Sequence, residues 1–384
     1  MLVILSTVIL TGFGALALKQ IPIDAFPDVT NVQVQVLAKA GGMSPPEVEK
    51  LVTRPIEIQM GGLPRLTEIR SVSKIGLAAI TIVFEDGVND YFARQLVAER
   101  LASARENLPA SVDVELGPIT TGLGEIFQYT LISKNPQKYD ATELRTIQDY
   151  IVRPLLRTVP GVADVNSFGG FVKQYQVIVK PERLTSFKVT LQQVFEALEK
   201  NNANASGNFI EHQSEQYVVR GLGQVKNTTD IENIIVATQE HTPVYVRDVA
   251  EVKVGAELRQ GAVTMNGQGE VVSAIVLMLK GASGRDVVTA VKEKLPAIQK
   301  ALPKGVELAP FYDRTELVKK SIHTVTKALA EGAVFVLIIL IVLLADLRSA
   351  IIFTLVLPLS ALFAFIKRGQ KFRADKRHEC ESTQ

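Results

Sequence analysis

Side chains able to bind a metal ion or to act in catalysis are few in this chain of 384 residues. Glu211 and His212 are adjacent in a polar stretch, and Glu316 and His323 lie two turns apart on one face of a predicted helix. Both pairs are typical of solvated surfaces, since a zinc site needs several ligands at close spacing. In the sequence no two histidines lie at such spacing, and Cys380 is the single cysteine. The pattern therefore predicts no identifiable metal site and no enzymatic activity.

Two further patterns could carry chemistry, one in the methionines and one in a glycine-rich segment. The methionines are scattered rather than clustered as copper(I) requires, so we predict that they fill the core: Met43, Met60, Met265 and Met278. Residues 117–124 (GPITTGLG) lack the lysine and the hydroxyl residue that end a phosphate-binding loop. We interpret this segment as a hinge between two domains.

Three apolar runs, at residues 1–18, 328–345 and 351–366, indicate how the rest of the chain is anchored. A membrane-spanning helix needs about 17 apolar residues or more, which the first two runs provide. The first run has no basic start, and this favours a membrane helix over a signal peptide. Glu331, near one end of the second run, is either an interfacial residue or a member of a proton relay.

The body between the first two runs has the composition of a water-soluble protein. Residues 19–327 contain 35 basic and 35 acidic residues, so the body is electrically neutral. A neutral body lacks the electrostatic footprint of a nucleic-acid-binding protein. We therefore expect a membrane-attached module that does not bind nucleic acid.

The pattern of the body predicts a β-α-β-β-α-β unit that occurs twice. Ser44, Asp140 and Thr190 begin three of the predicted helices as capping residues. Arg54-Pro55 and Arg153-Pro154 recur 99 residues apart in equivalent helices. A polar, asparagine-rich stretch interrupts the second unit as an inserted subdomain. The predicted domains are a membrane helix at 1–18, a first unit at 19–120, a second unit at 121–200 and 259–327 with a linker helix, the insert at 201–258, membrane helices at 328–345 and 351–366, and a hydrophilic tail at 367–384.

Short motifs follow one another along the chain in a recognisable order. They are residues 21–28 (IPIDAFPD), 71–76 (SVSKIG), 83–87 (VFEDG), 121–125 (TGLGE), 244–250 (VYVRDVA) and 311–314 (FYDR). These motifs resemble those of the resistance-nodulation-division permeases, in the heavy-metal efflux branch. The resemblance runs from residue 1 to about residue 366. It implies a membrane α-helical plus α+β fold, with two ferredoxin-like porter subdomains, a docking subdomain inserted in the second, and flanking transmembrane helices.

The resemblance also implies a location, a cargo and partners. It implies a multi-pass homotrimer in the bacterial inner membrane, with a large periplasmic domain, a periplasmic membrane-fusion adaptor and an outer-membrane channel. It implies proton-driven export of a metal cation and no bound cofactor. The scattered methionines and residues 276–282 (VLMLKGA) are more similar to the cobalt/zinc/cadmium members than to the copper/silver members. Arg70 matches an arginine near the mouth of the periplasmic cleft; its alternative role is a surface ion pair.

The chain also departs from the family pattern. Family permeases have twelve membrane helices and a second porter half, whereas this chain stops within the predicted third helix. The acidic relay residues and the methionine triad of the family would lie beyond residue 366, and the tail at 367–384 does not resemble the family. Six basic residues in 367–377 predict that the third helix inserts poorly.

Three functional hypotheses follow. The first is the N-terminal part of a metal/proton antiporter that does not transport alone. The second is a non-transporting scaffold that docks within a tripartite efflux complex. The third, an independent metal-binding module, is disfavoured by the scattered ligands.

Overall fold

The computed structural model describes residues 29–212, 215–239, 241–259, 261–267 and 269–344, together with residues 7, 11–14, 16 and 360. The motif at 21–28, the third apolar run apart from Ser360, and the tail at 367–384 lie outside the described residues, as does most of the first apolar run.

The first unit (residues 33–116) is a four-stranded antiparallel sheet with helices packed against it. Alternating apolar side chains create its buried face, with Val34, Val36 and Ala38 inside. In spatial order the strands are Leu66–Lys74, Leu77–Phe84, Gln33–Lys39 and Asp113–Leu116. The helical segments are Pro45–Val48, Glu49–Thr53, Arg54–Met60 and Asp90–Arg105.

The second unit (residues 125–168 and 272–313) has the same order of elements. Its strands lie in the spatial order Val306–Asp313, Glu125–Ser133, Val272–Met278 and Val162–Phe168. Its helical segments are Ala141–Ile147, Gln148–Val152, Arg153–Arg157 and Gly284–Ala301. In both units the chain order across the sheet is fourth, first, third, second. The predicted α+β class is confirmed.

The repeated Arg-Pro pairs mark the same helical irregularity in both units. Arg54-Pro55 follows a π-helical turn at Glu49–Thr53, and Arg153-Pro154 follows one at Gln148–Val152. Proline has no N–H to donate to the residue four positions earlier, so the regular helical ladder is interrupted there. A π turn places one extra residue in the helix at that point. The extra residue changes which side chains face the sheet.

The insert (residues 173–256) is larger than the sequence pattern predicted. Strand Lys173–Val179 pairs with Ala250–Ala256 instead of joining the second sheet, and helix Leu191–Lys200 packs in the core of the insert. The prediction that placed both in the second unit was therefore wrong. Strand Val272–Met278 is buried almost throughout and occupies the inner position, whereas Lys173–Val179 is only half-buried and suits a two-stranded sheet.

The other elements of the insert are short. Its remaining strands form two hairpins, which are Ala205–His212 with Glu215–Gly221, and Ile235–Gln239 with Thr242–Tyr245. Its remaining helices are Pro181–Ser186, Thr228–Glu232 and Val246–Val249. The insert has a separate apolar core around Val194, Val244 and Val246. By pairing and packing, the insert begins near residue 173 and not at 201.

One helix, Arg314–Leu344, continues directly from the last strand of the second unit. Its segment Arg314–Leu343 is the single helix of the described residues with the length and composition to cross a membrane. None of its apolar window is buried against the rest of the chain. We call it the apolar helix. It contains the predicted linker helix and most of the second apolar run.

The start of the apolar helix depends on the ionised carboxylate of Asp313. Its Oδ1 accepts a hydrogen bond from the Thr315 N–H at 2.8 Å, and its Oδ2 bonds to the Lys292 ammonium. Burial raises the pKa of Asp313, but the hydrogen bonds from Lys292 and Thr315 outweigh it and keep the pKa below the ordinary 3.8. A carboxylate with a lowered pKa stabilises the fold above its unfolded pKa, and this stability is lost as the pH falls through its folded pKa.

We expect Asp313→Ala to destabilise the chain by about 1 kcal/mol at neutral pH, the usual cost of removing such a helix cap. The difference in stability between the variant and the parent should vanish in acid, below the folded pKa of Asp313. There the parent carboxyl is protonated and has lost its charge. Hydrogen exchange of the amides in Val306–Asp313, followed at both pH values, measures the difference locally. Glu316→Ala, an exposed carboxylate one turn along, is the control and should have little effect. An equal penalty at both pH values would contradict this role.

Candidate functional site

The structure places Arg70, the predicted substrate-path residue, in an exposed strand. Arg70 lies opposite Thr81, and its Nε is 3.6 Å from Glu68 Oε1. Its side chain is 60% exposed, and surface ion pairs of this kind contribute about 0–1 kcal/mol. The geometry matches the surface ion pair that the sequence left as the alternative. A role at the mouth of a cleft stays a prediction.

The other candidate ligands do not come together. Glu211, Glu316 and His323 are exposed. Glu331 is exposed as well and lies 3.8 Å from Lys327, one turn earlier on the apolar helix. Within the part of the chain that the structure describes, no three His, Cys, Asp or Glu residues form a group that could hold a metal ion.

A cleft of about 460 Å³ lies where the chain passes between the second unit and the insert. We call it the crossing cleft, because both connections between the two bodies line it. The lining residues that make the contacts below include Arg145, Ser167, Gly169, Gly170 and Arg259.

Arg145 forms one wall of the crossing cleft and fixes the first connection. Its Nε is 2.7 Å from Asp149 Oδ2, one helical turn away, and its Nη1 donates to the Gly169 carbonyl at 2.8 Å. The Arg145 and Asp149 side chains are only 19% and 24% exposed. A charge-assisted pair this shielded from water is stronger than a surface pair. It holds the guanidinium in a defined position beside the cleft.

A chain of hydrogen bonds runs from Asp149 into the core. Ser167 Oγ donates to Asp149 Oδ1 at 2.6 Å, and Gln148 Nε2 donates to Ser167 Oγ at 3.4 Å. Tyr129 donates its hydroxyl proton to Gln148 Oε1 at 2.9 Å. Burial raises the pKa of the Tyr129 phenol, so it keeps that proton. The π turn explains the network, because it lets the consecutive residues Gln148 and Asp149 both bond toward the sheet.

Arg259 lines the cleft on the second connection, and Glu270 holds it there. Glu270 accepts a hydrogen bond from the Gly170 N–H at 3.1 Å and also pairs with Arg259. The Arg259 guanidinium lies 4.0 Å from the centre of the Phe171 ring, a cation–π distance. Gly169 and Gly170 are therefore held by Arg145 on one side and by Glu270 on the other.

The chemistry available in the crossing cleft is hydrogen bonding and charge pairing. Its guanidinium groups each have a carboxylate partner, and the Ser167 proton is directed to Asp149. The arrangement can admit a small polar solute and holds the insert in one orientation. This site was not predicted from the sequence. The Arg145–Asp149 spacing and the Gly169-Gly170 pair were visible signals, but their partners Ser167 and Glu270 are distant in sequence.

The chain is similar to known proteins over most of its length. The model of the AcrB/AcrD/AcrF family matches residues 1–367. Protein HelA of Legionella pneumophila is 49% identical over 364 residues, which cover 94% of this chain and 34% of HelA. The cobalt-zinc-cadmium resistance protein CzcA of Cupriavidus metallidurans is 48% identical over 370 residues, 95% of this chain and 35% of CzcA. The cation efflux system protein CusA of Escherichia coli K12 is 37% identical over 366 residues.

The fold has solved counterparts. Two crystal forms of a heavy metal efflux pump match with TM-scores of 0.87 and 0.88 at 35% sequence identity. The matches cover 96% and 97% of this chain and 37% of the pump chain. This chain spans about a third of the length of the curated relatives it matches.

Proposed function

We infer the function from one premise: the chain belongs to the AcrB/AcrD/AcrF family, whose model matches residues 1–367. Within that family it groups with the heavy-metal efflux permeases of the resistance-nodulation-division class, as its motifs predicted. Because the chain spans about a third of its relatives' length, the activity of a whole pump is a proposal for this chain.

The chain is proposed to be the N-terminal part of a proton-driven permease that exports a divalent metal cation. The observation that carries this proposal is the match of 96% of the chain to a heavy metal efflux pump at a TM-score of 0.87. Zinc, cobalt or cadmium is the favoured cargo, since identity is 48% to the cobalt-zinc-cadmium protein and 37% to CusA. The proposed activity is transport rather than catalysis, with the cation as cargo and no resident cofactor.

The architecture supports an assignment of parts. Both units have the β-α-β-β-α-β order and the strand order of a split βαβ sheet, so we assign them as ferredoxin-like porter subdomains. The insert is assigned as the docking subdomain, and the apolar helix as a transmembrane helix. The complete protein is proposed to be a multi-pass homotrimer of the bacterial inner membrane, with a periplasmic adaptor and an outer-membrane channel as partners.

A chimera tests the proposal. Residues 29–344 of this chain would replace the corresponding part of CzcA in Cupriavidus metallidurans, and growth on zinc, cobalt and cadmium would be measured. We expect resistance to be retained, because the fold of this part is that of a heavy metal pump. The chain expressed alone is the control, and we expect no proton-driven zinc uptake into inverted membrane vesicles. A folded chimera without resistance, or uptake by the chain alone, would contradict the proposal.

The second candidate function is that of a non-transporting scaffold, and one feature of the insert supports it. The hairpin of Ala205–His212 and Glu215–Gly221 exposes apolar side chains, including Phe209, Tyr217 and Val218. A scaffold should co-purify with the periplasmic adaptor while the folded chimera gives no metal resistance. Resistance of the chimera would favour transport.

A further inference from the structure

The linker (residues 117–124) is bonded to both units. At its start the Gly117 N–H donates to the Gln35 carbonyl at 2.7 Å, and the Arg94 guanidinium donates to the Gly117 carbonyl. At its end the Met278 N–H donates to the Gly124 carbonyl at 2.8 Å. The linker is therefore attached to a strand of the first unit and to a strand of the second.

The end of the linker is closely packed around Gly124, and the hinge that its glycines suggested stays a prediction. A Cβ added to Gly124 would collide with Thr120 Oγ1 and would lie 3.2 Å from the Met278 carbonyl oxygen. The Gly124 N–H also donates to the Thr121 carbonyl at 2.8 Å. Groups packed as closely as those around Gly124 pass on a displacement, because they have little free space to absorb it.

Lys280 joins the second unit to the linker and to the first unit. Its N–H donates to the Ile119 carbonyl at 3.1 Å. Its ammonium lies 3.0 Å from Asp90 Oδ1, at the start of a helix of the first unit, and donates to the Asn31 carbonyl at 3.3 Å. The Lys280 and Asp90 side chains are 20% and 29% exposed, so water screens this pair only in part.

Arg314 joins the linker to the apolar helix. It is the first residue of that helix, its exposure is 5%, and its guanidinium donates to the Leu123 carbonyl. Leu123 directly precedes Gly124, whose carbonyl is bonded to the second unit. The first residue of the apolar helix, the linker and the contact between the units thus form one continuous set of bonded groups.

We propose that the linker couples the apolar helix to the contact between the two units, with Arg314 and Lys280 as positioning residues at the two ends of the path. A helix is stiff along its axis, so a shift of the apolar helix moves Arg314 and with it the Leu123 carbonyl. The same peptide run then displaces its partners at Met278 and Lys280. Coupling of this kind travels through contiguous bonded groups. The proposed coupling does not depend on the proposed metal export. Its test measures only the distance between the two units.

Spin labels at Ser103→Cys in the first unit and Ala297→Cys in the second, in a Cys380→Ser background, report the distance between the units. The full chain in lipid nanodiscs is measured by double electron–electron resonance. We expect Arg314→Ala, which removes the hydrogen bond to the Leu123 carbonyl, to broaden the distribution by about two-fold, as expected for bodies freed to move as separate domains. Lys280→Met should broaden it similarly. The double variant should add little, since both act on one path.

Lys134→Met is the matched control, because Lys134 pairs with Glu307 inside the second unit. Its distribution should equal that of the parent. If Arg314→Ala fails to fold, Arg314→Gln provides the same test with a smaller change. The proposal would be overturned if Lys280→Met broadened the distance distribution while a folded Arg314 variant left it unchanged. The linker would then be a simple tether between the units.

Discussion

Gly170→Ala is expected to destabilise the second unit by about 2–5 kcal/mol, combining left-handed strain with overpacking. Gly170 has φ +66°, and an added Cβ would lie 2.6 Å from the Ala141 carbonyl oxygen and 2.7 Å from Val272 Cγ2. Neither neighbour can withdraw easily, since one is helix backbone and the other belongs to a buried strand. The same residue lines the crossing cleft. The insert should therefore lose its fixed orientation as well.

Gly267→Ala is the matched control for this expectation. Gly267 has φ +68°, but nothing lies within 4 Å of an added Cβ. It should therefore cost only the strain of a left-handed residue, about 1–2 kcal/mol. Hydrogen exchange of the amides in Val272–Met278 measures the loss locally, which suits a chain with several cores better than one unfolding transition. Equal losses in the two variants would show that the crowding around Gly170 is relieved without cost.

The second large effect is expected from the buried pair Tyr129 and Gln148. Both side chains have 0% exposure. Tyr129→Phe leaves Gln148 Oε1 without its donor, and Gln148→Leu leaves the Tyr129 hydroxyl without its acceptor. Each single change should cost about 1–3 kcal/mol, the usual penalty for an unsatisfied buried polar group.

The double variant should recover part of that loss, because replacing both partners by apolar groups leaves no unpaired hydroxyl. We expect a coupling energy of about 1 kcal/mol or more from the cycle, measured by hydrogen exchange of Val162–Phe168. Tyr217→Phe serves as the surface control, since Tyr217 donates to Glu215 on an exposed hairpin. It should change stability by less than about 0.5 kcal/mol. Additive single effects would mean that the two side chains do not stabilise each other.

The predicted elements that agree best with the structure are those encoded by local sequence patterns. Strands Leu77–Phe84 and Val162–Phe168 lie within the two predicted β-α-β-β-α-β units. Asp140 caps its helix as predicted, accepting hydrogen bonds from the Thr142 and Glu143 N–H groups at 2.9 Å. Alternation and capping act over a few residues, so a single sequence contains all the information they need.

The candidate site was much less predictable. The crossing cleft depends on Arg145 reaching Gly169 and on Glu270 reaching Gly170, across 24 and 100 residues of chain. The π turn that directs both Gln148 and Asp149 inward was not predicted either, although the Arg153-Pro154 pair that follows it was noticed. These features depend on how separate elements meet.

The sequence alone determined that this protein has two repeated α+β units, an insert, a long apolar helix and the motifs of a heavy-metal efflux family. Only the tertiary structure decided that Lys173–Val179 pairs with Ala250–Ala256, and that the linker bonds to Lys280 and Arg314. The physical reason is competition between partners. Several strands have suitable patterns for one position in a sheet, and the most completely buried one, Val272–Met278, takes it. Burial of that kind is a property of the assembled sheet.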